Sequence, residues 1–429
     1  LRSGVGSPDE NYLWFVTQAP TNPDGQFWAS EIGTLLAWWA KGRPISRRFP
    51  SVPDMNHDHG LLCNRVMLAT NWKAGQKVSG GYSATAEQQG FAAFPRMNAF
   101  GAEFTWKGNW MQVVTPSAVP DFPAVPKVGQ LPPANQPPAR WRRQGLWVYD
   151  DADPGGVQYL ILRDTVTGGQ PTQWQFWTTS EKIGTPEEAA DRAAFLADKP
   201  GATSAPAREL HGDRFTAPGQ LGVDVEYYIA APADTPRHTL RYATRSSGYW
   251  VRDFTQAQDL LHLQLPGDGA YFVALFPRTA EEAAPTFTTL GEGTVIKIAG
   301  DFGTDYAFLA AAETRTTAEQ AAFSGTSGSV QVRPGRLLLA LGAPGTVRYG
   351  TAGLTAPMPA TLTAGATQLI LRCAPDHPGG QVTITAASPW QLAKGQRATM
   401  TVQGTQYQLT LPAGVTQVTL EKPPARPAR

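Results

Sequence analysis

Histidine and cysteine, the side chains that most often carry metal or nucleophilic chemistry, are scarce in this chain: six and two among 429 residues. The cysteines, Cys63 and Cys373, lie far apart, and no C-x-x-C or finger spacing exists, which excludes a dithiol redox motif and a zinc finger. They either pair in an oxidising compartment or remain two buried thiols. No apolar run approaches the roughly 18 to 20 residues of a helical membrane span. Charged residues make up only 17% of the chain and nearly cancel, at net +1. No global field therefore draws it to nucleic acid or an anionic membrane, and an acidic ligand must be met by a local patch. The G-x-S-x-G elbow, the P-loop and the dinucleotide fingerprint are all missing. Leu1 opens no signal peptide, which reads as a mature or truncated product.

Glycine (43) and proline (37) are plentiful, and with few charges they favour many short strands joined by turns over long helices. An all-β fold is expected. The organising stretch is Trp141–Trp177, in which the runs 145–149, 157–162 and 173–178 are rich in Val, Tyr, Ile, Trp and Phe. They are separated by Asp150–Gly156 and Thr167–Pro171, residues that reach turn dihedrals at low cost. The spacing predicts a three-stranded meander. The partial alternation in Trp174-Gln175-Phe176-Trp177 predicts a third strand with one face buried and one open to water or ligand.

Several short strands are expected over 78–112, then a proline-dense strap over 115–140 that cannot enter a sheet. Thr185-Pro186-Glu187-Glu188 opens the clearest helix, with Thr185 as N-cap, Pro186 at the first position and two glutamates at the positive end of the dipole; it should run to about Asp198. Strands return from 207 onward. A hairpin is expected within 330–341, broken at Pro334-Gly335, and strands at 363–372, 382–386, 398–403, 406–411 and 416–420.

The phrase RRQGLWVYDDADPGGVQYLILRDTVTGGQPTQWQFW resembles the central strands of the heparinase II/III-like polysaccharide lyases, in which an R-Q or R-R strand leads to a "YFVLRD" strand and then a tryptophan-bearing strand. Arg142, Arg143, Tyr159, Arg163, Asp164 and Trp174 carry that match. Asp301–Leu309 is similar to the family's "G-x-D-Y-x-F-L". The resemblance implies a large antiparallel β super-sandwich over 27–350, preceded by a lead-in at 1–26. A small β-sandwich-like domain over 351–422 follows, then a disordered tail at 423–429. It also bears on 27–49, which reads either as a helix capped by Ser30 or as a strand at 33–40 turning at Lys41-Gly42-Arg43-Pro44; the family's "A-K-G-x-P" frame favours the strand.

That frame carries histidines at positions occupied here by Phe27 and Ala29, and its "H-N-T-V" motif is similar to Cys63-Asn64-Arg65-Val66. The resemblance implies a zinc in the relatives. The matching positions here are Ala29, about Ser46 and Cys63, so no cofactor is expected. Between them, Asp54–Gly60 holds His57 and His59, which on an extended segment point the same way and are the alternative metal pair or catalytic groups. Asp and Glu pairs occur, but no spacing singles out a glycosidase dyad.

The resemblance implies an acidic polysaccharide as partner and β-elimination as chemistry. Arg143 and Arg163 would meet carboxylate or sulfate, and Trp174 and Trp177 would stack on sugar rings. The helical α/α toroid that bears most catalytic groups in the relatives is not in these residues, so it would be a separate or cleaved chain. The expectation is the β-sandwich portion of such a lyase, not catalytic by itself. The alternative is a non-catalytic glycan-binding or structural cell-surface protein. Either implies a secreted, periplasmic or cell-surface location.

Overall fold

A computed structural model describes residues 1–17, 33–47, 63–68, 83–107, 139–233, 235–248, 251–387 and 389–423. Among these the chain is almost entirely antiparallel strand, with two short helices and a 3-10 turn. It divides into two compact units: Leu1–Gln89 with Gly101–Arg143 and Tyr149–Glu282, and Gly90–Phe100 with Gln144–Val148 and Ala283–Arg429.

The first unit opens with a four-stranded sheet in sequence order, Arg2–Ser3, Asn11–Phe15, Leu35–Ala40 and Arg43–Arg47. The strand reading of 33–40 therefore holds, and Lys41-Gly42 is the turn, both residues in the left-handed region (φ 52° and 68°). The position needs glycine for a second reason: a Cβ on Gly42 would lie 1.9 Å from the Pro8 carbonyl oxygen. Lys41 holds the same turn from inside. Its amide donates to Asn11 Oδ1 (2.8 Å), and its ammonium to the carbonyls of Gly155 (2.6 Å) and Gly156 (2.8 Å) and to Glu282 Oε1 (2.8 Å).

The core of this unit is a sandwich. One layer is a five-stranded sheet, Ala205–Leu210, Arg237–Gly248, Val251–Leu265, Thr172–Thr178 and Val66–Leu68 in spatial order. The other is a seven-stranded sheet in which Tyr159–Thr167 lies between Gly269–Thr279 and Ala139–Val148. The expected meander is corrected here. Its first two strands are neighbours, but the third, Thr172–Thr178, leaves for the opposite sheet and pairs with Val251–Leu265 and Val66–Leu68. All seven of its residues are buried, so the expected open face is corrected as well. The cause is that the strand is central to its sheet and packed on both sides, where alternation no longer separates core from solvent.

Two further expectations shift. The stretch 83–107 forms two long strands, Ser83–Phe94 and Met97–Lys107, instead of several short ones. The helix begins as expected, with a complete Thr185/Glu188 capping box, but it breaks after Ala189. Asp191 caps a second short helix, Arg192–Ala197, whose buried residue is Phe195. The strap falls outside the described residues except at 139–140.

The second unit is built around Ala321–Arg333, a strand that pairs with Gly303–Ala318 along one edge and with two successive partners along the other: Gly345–Tyr349 and then Arg336–Leu341. The edge splits beside Gly325 (φ 137°), where a Cβ would lie 2.9 Å from the Pro344 carbonyl oxygen. The hairpin at Pro334-Gly335 is as expected. The 363–372 run is two strands, Ala360–Ala364 and Gln368–Cys373, turning at 365–367. One hydrophobic core, including Phe308, Phe323, Leu339, Leu362, Leu371, Leu409 and Val418, extends through this unit. Residue 350 falls inside the hairpin Gly345–Tyr349/Ala352–Ala356, and the last crossing between the two units falls between Glu282 and Ala283. Cys63 and Cys373 are buried and not joined in a disulfide, and burial pushes the Cys373 thiol up to about 12.

Candidate functional site

The sequence-expected contacts separate into three groups. His57 and His59 lie outside the described residues. Arg143, Trp174 and Trp177 are fully buried, and Arg163 alone is partly exposed.

Arg143 and Trp174 belong to an interior knot centred on Asp164. One carboxylate oxygen accepts from Trp141 Nε1 (2.7 Å) and Arg143 Nε (2.7 Å); the other accepts from a terminal nitrogen of Arg143 (2.8 Å) and from Trp174 Nε1 (2.9 Å). The remaining Arg143 nitrogen donates to the carbonyls of Gly33 and Asn64, both at 2.8 Å. A buried ion pair persists when its lone pairs and donors are met in this way. The Arg143–Asp164 pair fastens the sheets to the 33–35 and 63–66 segments, and it leaves no face of Arg143 or Trp174 for a sugar. Trp177 is fixed likewise: its amide donates to Asn64 Oδ1 (2.6 Å), and its ring meets Tyr242 edge-on.

Alternation places the neighbours of this knot. Asp164 and Arg143 point toward the five-stranded sheet, so Arg163 and Arg142, one residue earlier on adjacent strands, lie on the other face of the seven-stranded sheet, half-buried and beside the fully buried Ile161 and Phe272. Arg140, two residues before Arg142, shares that face and is exposed. The Arg163 guanidinium lies 5.1 Å from the Phe272 ring centroid, and burial lowers its pKa. A cation seated on an aromatic ring and partly stripped of water is suited to a carboxylate or sulfate.

The outer face of the five-stranded sheet is polar in a way the sequence reading missed. Leu261 is opposite Phe176, which meets Tyr227 of the other sheet, so both face inward. The alternate positions Gln173, Gln175, Gln256, Gln258, His262 and Gln264 therefore face out, with His238 directly across from His262. These residues are nonetheless buried. Gln175 donates to the Cys63 carbonyl and Gln258 to that of Arg47, both at 2.8 Å, and His262 Nε2 lies 3.2 Å from Gln173 Oε1. Burial pulls the His262 pKa down to about 3, and the facing His238 is lowered for the same reason. This face offers uncharged donors and acceptors. The Gln and His at four of the five alternate positions of QAQDLLHLQL (Gln256, Gln258, His262 and Gln264) were the signal that would have found it.

Of the other described histidines, His377 is held by the Val415 carbonyl and the Gly379 amide, and His211 sits exposed near Glu209. Desolvation raises the pKa of the buried Tyr227 and Tyr271. Among the described residues no cluster of three His, Cys, Asp or Glu side chains is placed to hold a metal, and no helix is long and apolar enough to cross a membrane.

The class that these features define is an antiparallel all-β scaffold with a cationic patch on one sheet face. No family model and no curated protein matches the sequence. Among solved structures, the chain is similar to a chondroitin AC lyase from Streptomyces coelicolor A3 in complex with chondroitin sulphate (12% identity, TM-score 0.42, covering 96% of this chain and 47% of that one). It is similar also to a xanthan lyase from Paenibacillus (11%, 0.41, 87% and 31%) and to the heparan sulfate lyase HepC from Pedobacter heparinus (8%, 0.38, 70% and 39%). The chain spans less than half the length of each. All three are polysaccharide lyases, the class that the sequence resembles.

Proposed function

We propose that this chain is the β-sandwich portion of a polysaccharide-lyase-type protein and binds an acidic polysaccharide without itself performing β-elimination. The observation that carries the reading is the cationic row Arg140, Arg142 and Arg163 on the face of the seven-stranded sheet turned away from the five-stranded one. Elimination needs a base and a carboxylate neutraliser converging on one sugar. His238 and His262 lie on the outer face of the opposite sheet, across the sandwich from Arg163, which favours binding over turnover. That separation equally supports the second reading, a glycan-binding or structural protein of a cell surface or secreted space. An α/α toroid on a separate or cleaved chain would supply the acid/base groups in the first reading. The reading assigns no zinc to the family's frame, because Ala29 and Cys63 stand where the resemblance places histidines.

The test is affinity electrophoresis in chondroitin sulfate, with Arg163→Ala, together with absorbance of unsaturated uronate. Retardation that weakens about tenfold in the variant and falls with salt is expected, since the partly exposed guanidinium supplies a charge-assisted contact. No absorbance should develop. Turnover by this chain alone, abolished by His57→Ala or His59→Ala, would overturn the non-catalytic assignment, and zinc on elemental analysis, lost in the same variants, would make that pair its ligands.

A further inference from the structure

The four-stranded sheet carries a second feature, independent of the cationic row. Tyr12 and Trp39 are cross-strand partners, and Trp14, two residues beyond Tyr12, shares their face. Their neighbours Leu13 and Trp38 point the other way and are fully buried. Trp14 and Trp39 are 51% and 39% exposed, unusual among the large apolar side chains of the described residues. Tyr12 and Trp39 line an open cleft of about 530 Å³ whose remaining walls are Arg2, Ser7, Pro8, Glu10 and Gly42, a volume within the range of small-molecule sites.

Arg2 Nε donates to Glu10 Oε1 (2.7 Å), and Glu10 also accepts from the Gly6 amide (3.3 Å), so the charged rim is internally balanced. The cleft is built on a stiff base, the Lys41-Gly42 turn with its ammonium and amide bonds. Flat rings on a rigid sheet face, bordered by hydroxyl and paired charged groups, match a ligand with one apolar C–H face and a rim of hydroxyls. The balanced rim favours no net charge on that ligand.

We propose that this cleft is a binding site for an uncharged, equatorially linked sugar chain, with Trp39 and Tyr12 stacking one ring and Trp14 extending the platform to the next. The site goes beyond the acidic-glycan reading and does not rest on it. The probe is cellohexaose, titrated by calorimetry into the full chain with intrinsic fluorescence in parallel. Saturable binding with little salt dependence is expected. Loss of one stacking ring in Trp39→Ala should weaken it about tenfold, and Trp14→Ala by less. Arg163→Ala should leave it unchanged, so failure here is distinguishable from failure of the chondroitin sulfate experiment. Both tryptophans are exposed, and circular dichroism confirms that the variants fold. Absence of saturable heat at millimolar cellohexaose would overturn the proposal, as would unchanged affinity in the Trp14→Ala/Trp39→Ala double variant. A change in self-association alone would assign the face to a second copy of the chain instead.

Discussion

Replacing Asp164 by Ala removes the one acceptor shared by three side chains from two sheets. Four hydrogen bonds vanish: two from Arg143 and one each from the indoles of Trp141 and Trp174. The guanidinium keeps its bonds to Gly33 and Asn64 but loses its counter-charge in a fully buried site. Breaking a buried pair from one side costs about 3–5 kcal/mol, and each orphaned buried donor about 1–3 kcal/mol. These are not additive, because the cavity left by the carboxylate lets the indoles relax together. A net loss of about 5 kcal/mol is the reasoned figure, comparable with the whole stability of many domains. Urea unfolding followed by tryptophan fluorescence measures it. Arg143→Ala should cost less, since it leaves the carboxylate two indole donors, and the double variant should fall well short of the sum. A loss below about 1 kcal/mol in Asp164→Ala, or simple additivity in the cycle, would refute the account of the knot as a single unit.

Two further outcomes follow from named positions. His262 is neutral in the fold down to about pH 3, whereas the unfolded chain protonates it near 6.5. Stability is therefore fully present above pH 6.5 and is lost as pH falls toward 3, by about 1.4 kcal/mol per pH unit for each proton the fold refuses. His262→Gln should flatten the stability–pH curve between pH 6 and 4. His238 acts in the same direction, and Asp259, raised to about 6 by burial, in the opposite one; both are present in the two proteins compared, so identical slopes would count against the buried imidazole. Gly42→Ala should destabilise the four-stranded sheet by about 2 kcal/mol or more, from the left-handed φ and the overlap with Pro8. A thermal midpoint matching that of the parent would show that the turn yields without cost.

What the sequence made legible was local. The Thr185 cap, the turn at Lys41-Gly42 and the hairpin at Pro334-Gly335 are written in two to four adjacent residues, whose dihedral and capping preferences act without reference to the rest of the fold. The sheet membership of Thr172–Thr178 was not legible. The turn before it suits either a return to the strand it follows or a crossing to another sheet, and the choice is made by partners about ninety residues later, at Val251–Leu265. The same limit explains the substrate-contact expectation. Arg143, Trp174 and Trp177 have side chains suited to sugar recognition, but whether such groups face solvent depends on layers contributed by distant segments. Arg163 escaped only because alternation turns it away from Asp164. The outward Gln/His row could have been found from its period of two, yet its burial could not.

The composition of the second unit bears on how the chain is made. Gly90–Phe100 and Gln144–Val148 belong to it, although everything else it contains begins at Ala283. During synthesis, at about 5–20 residues per second, these two segments leave the ribosome many seconds before their companions. Meanwhile the strands that bear them, Ser83–Phe94, Met97–Lys107 and Ala139–Val148, already have sheet partners in the N-terminal part. These two segments of the second unit therefore wait for the last third of the chain, made from Ala283 onward. A nascent chain arrested near Glu282 would hold those segments out with their companions unmade, the stage at which a chaperone has most to cover.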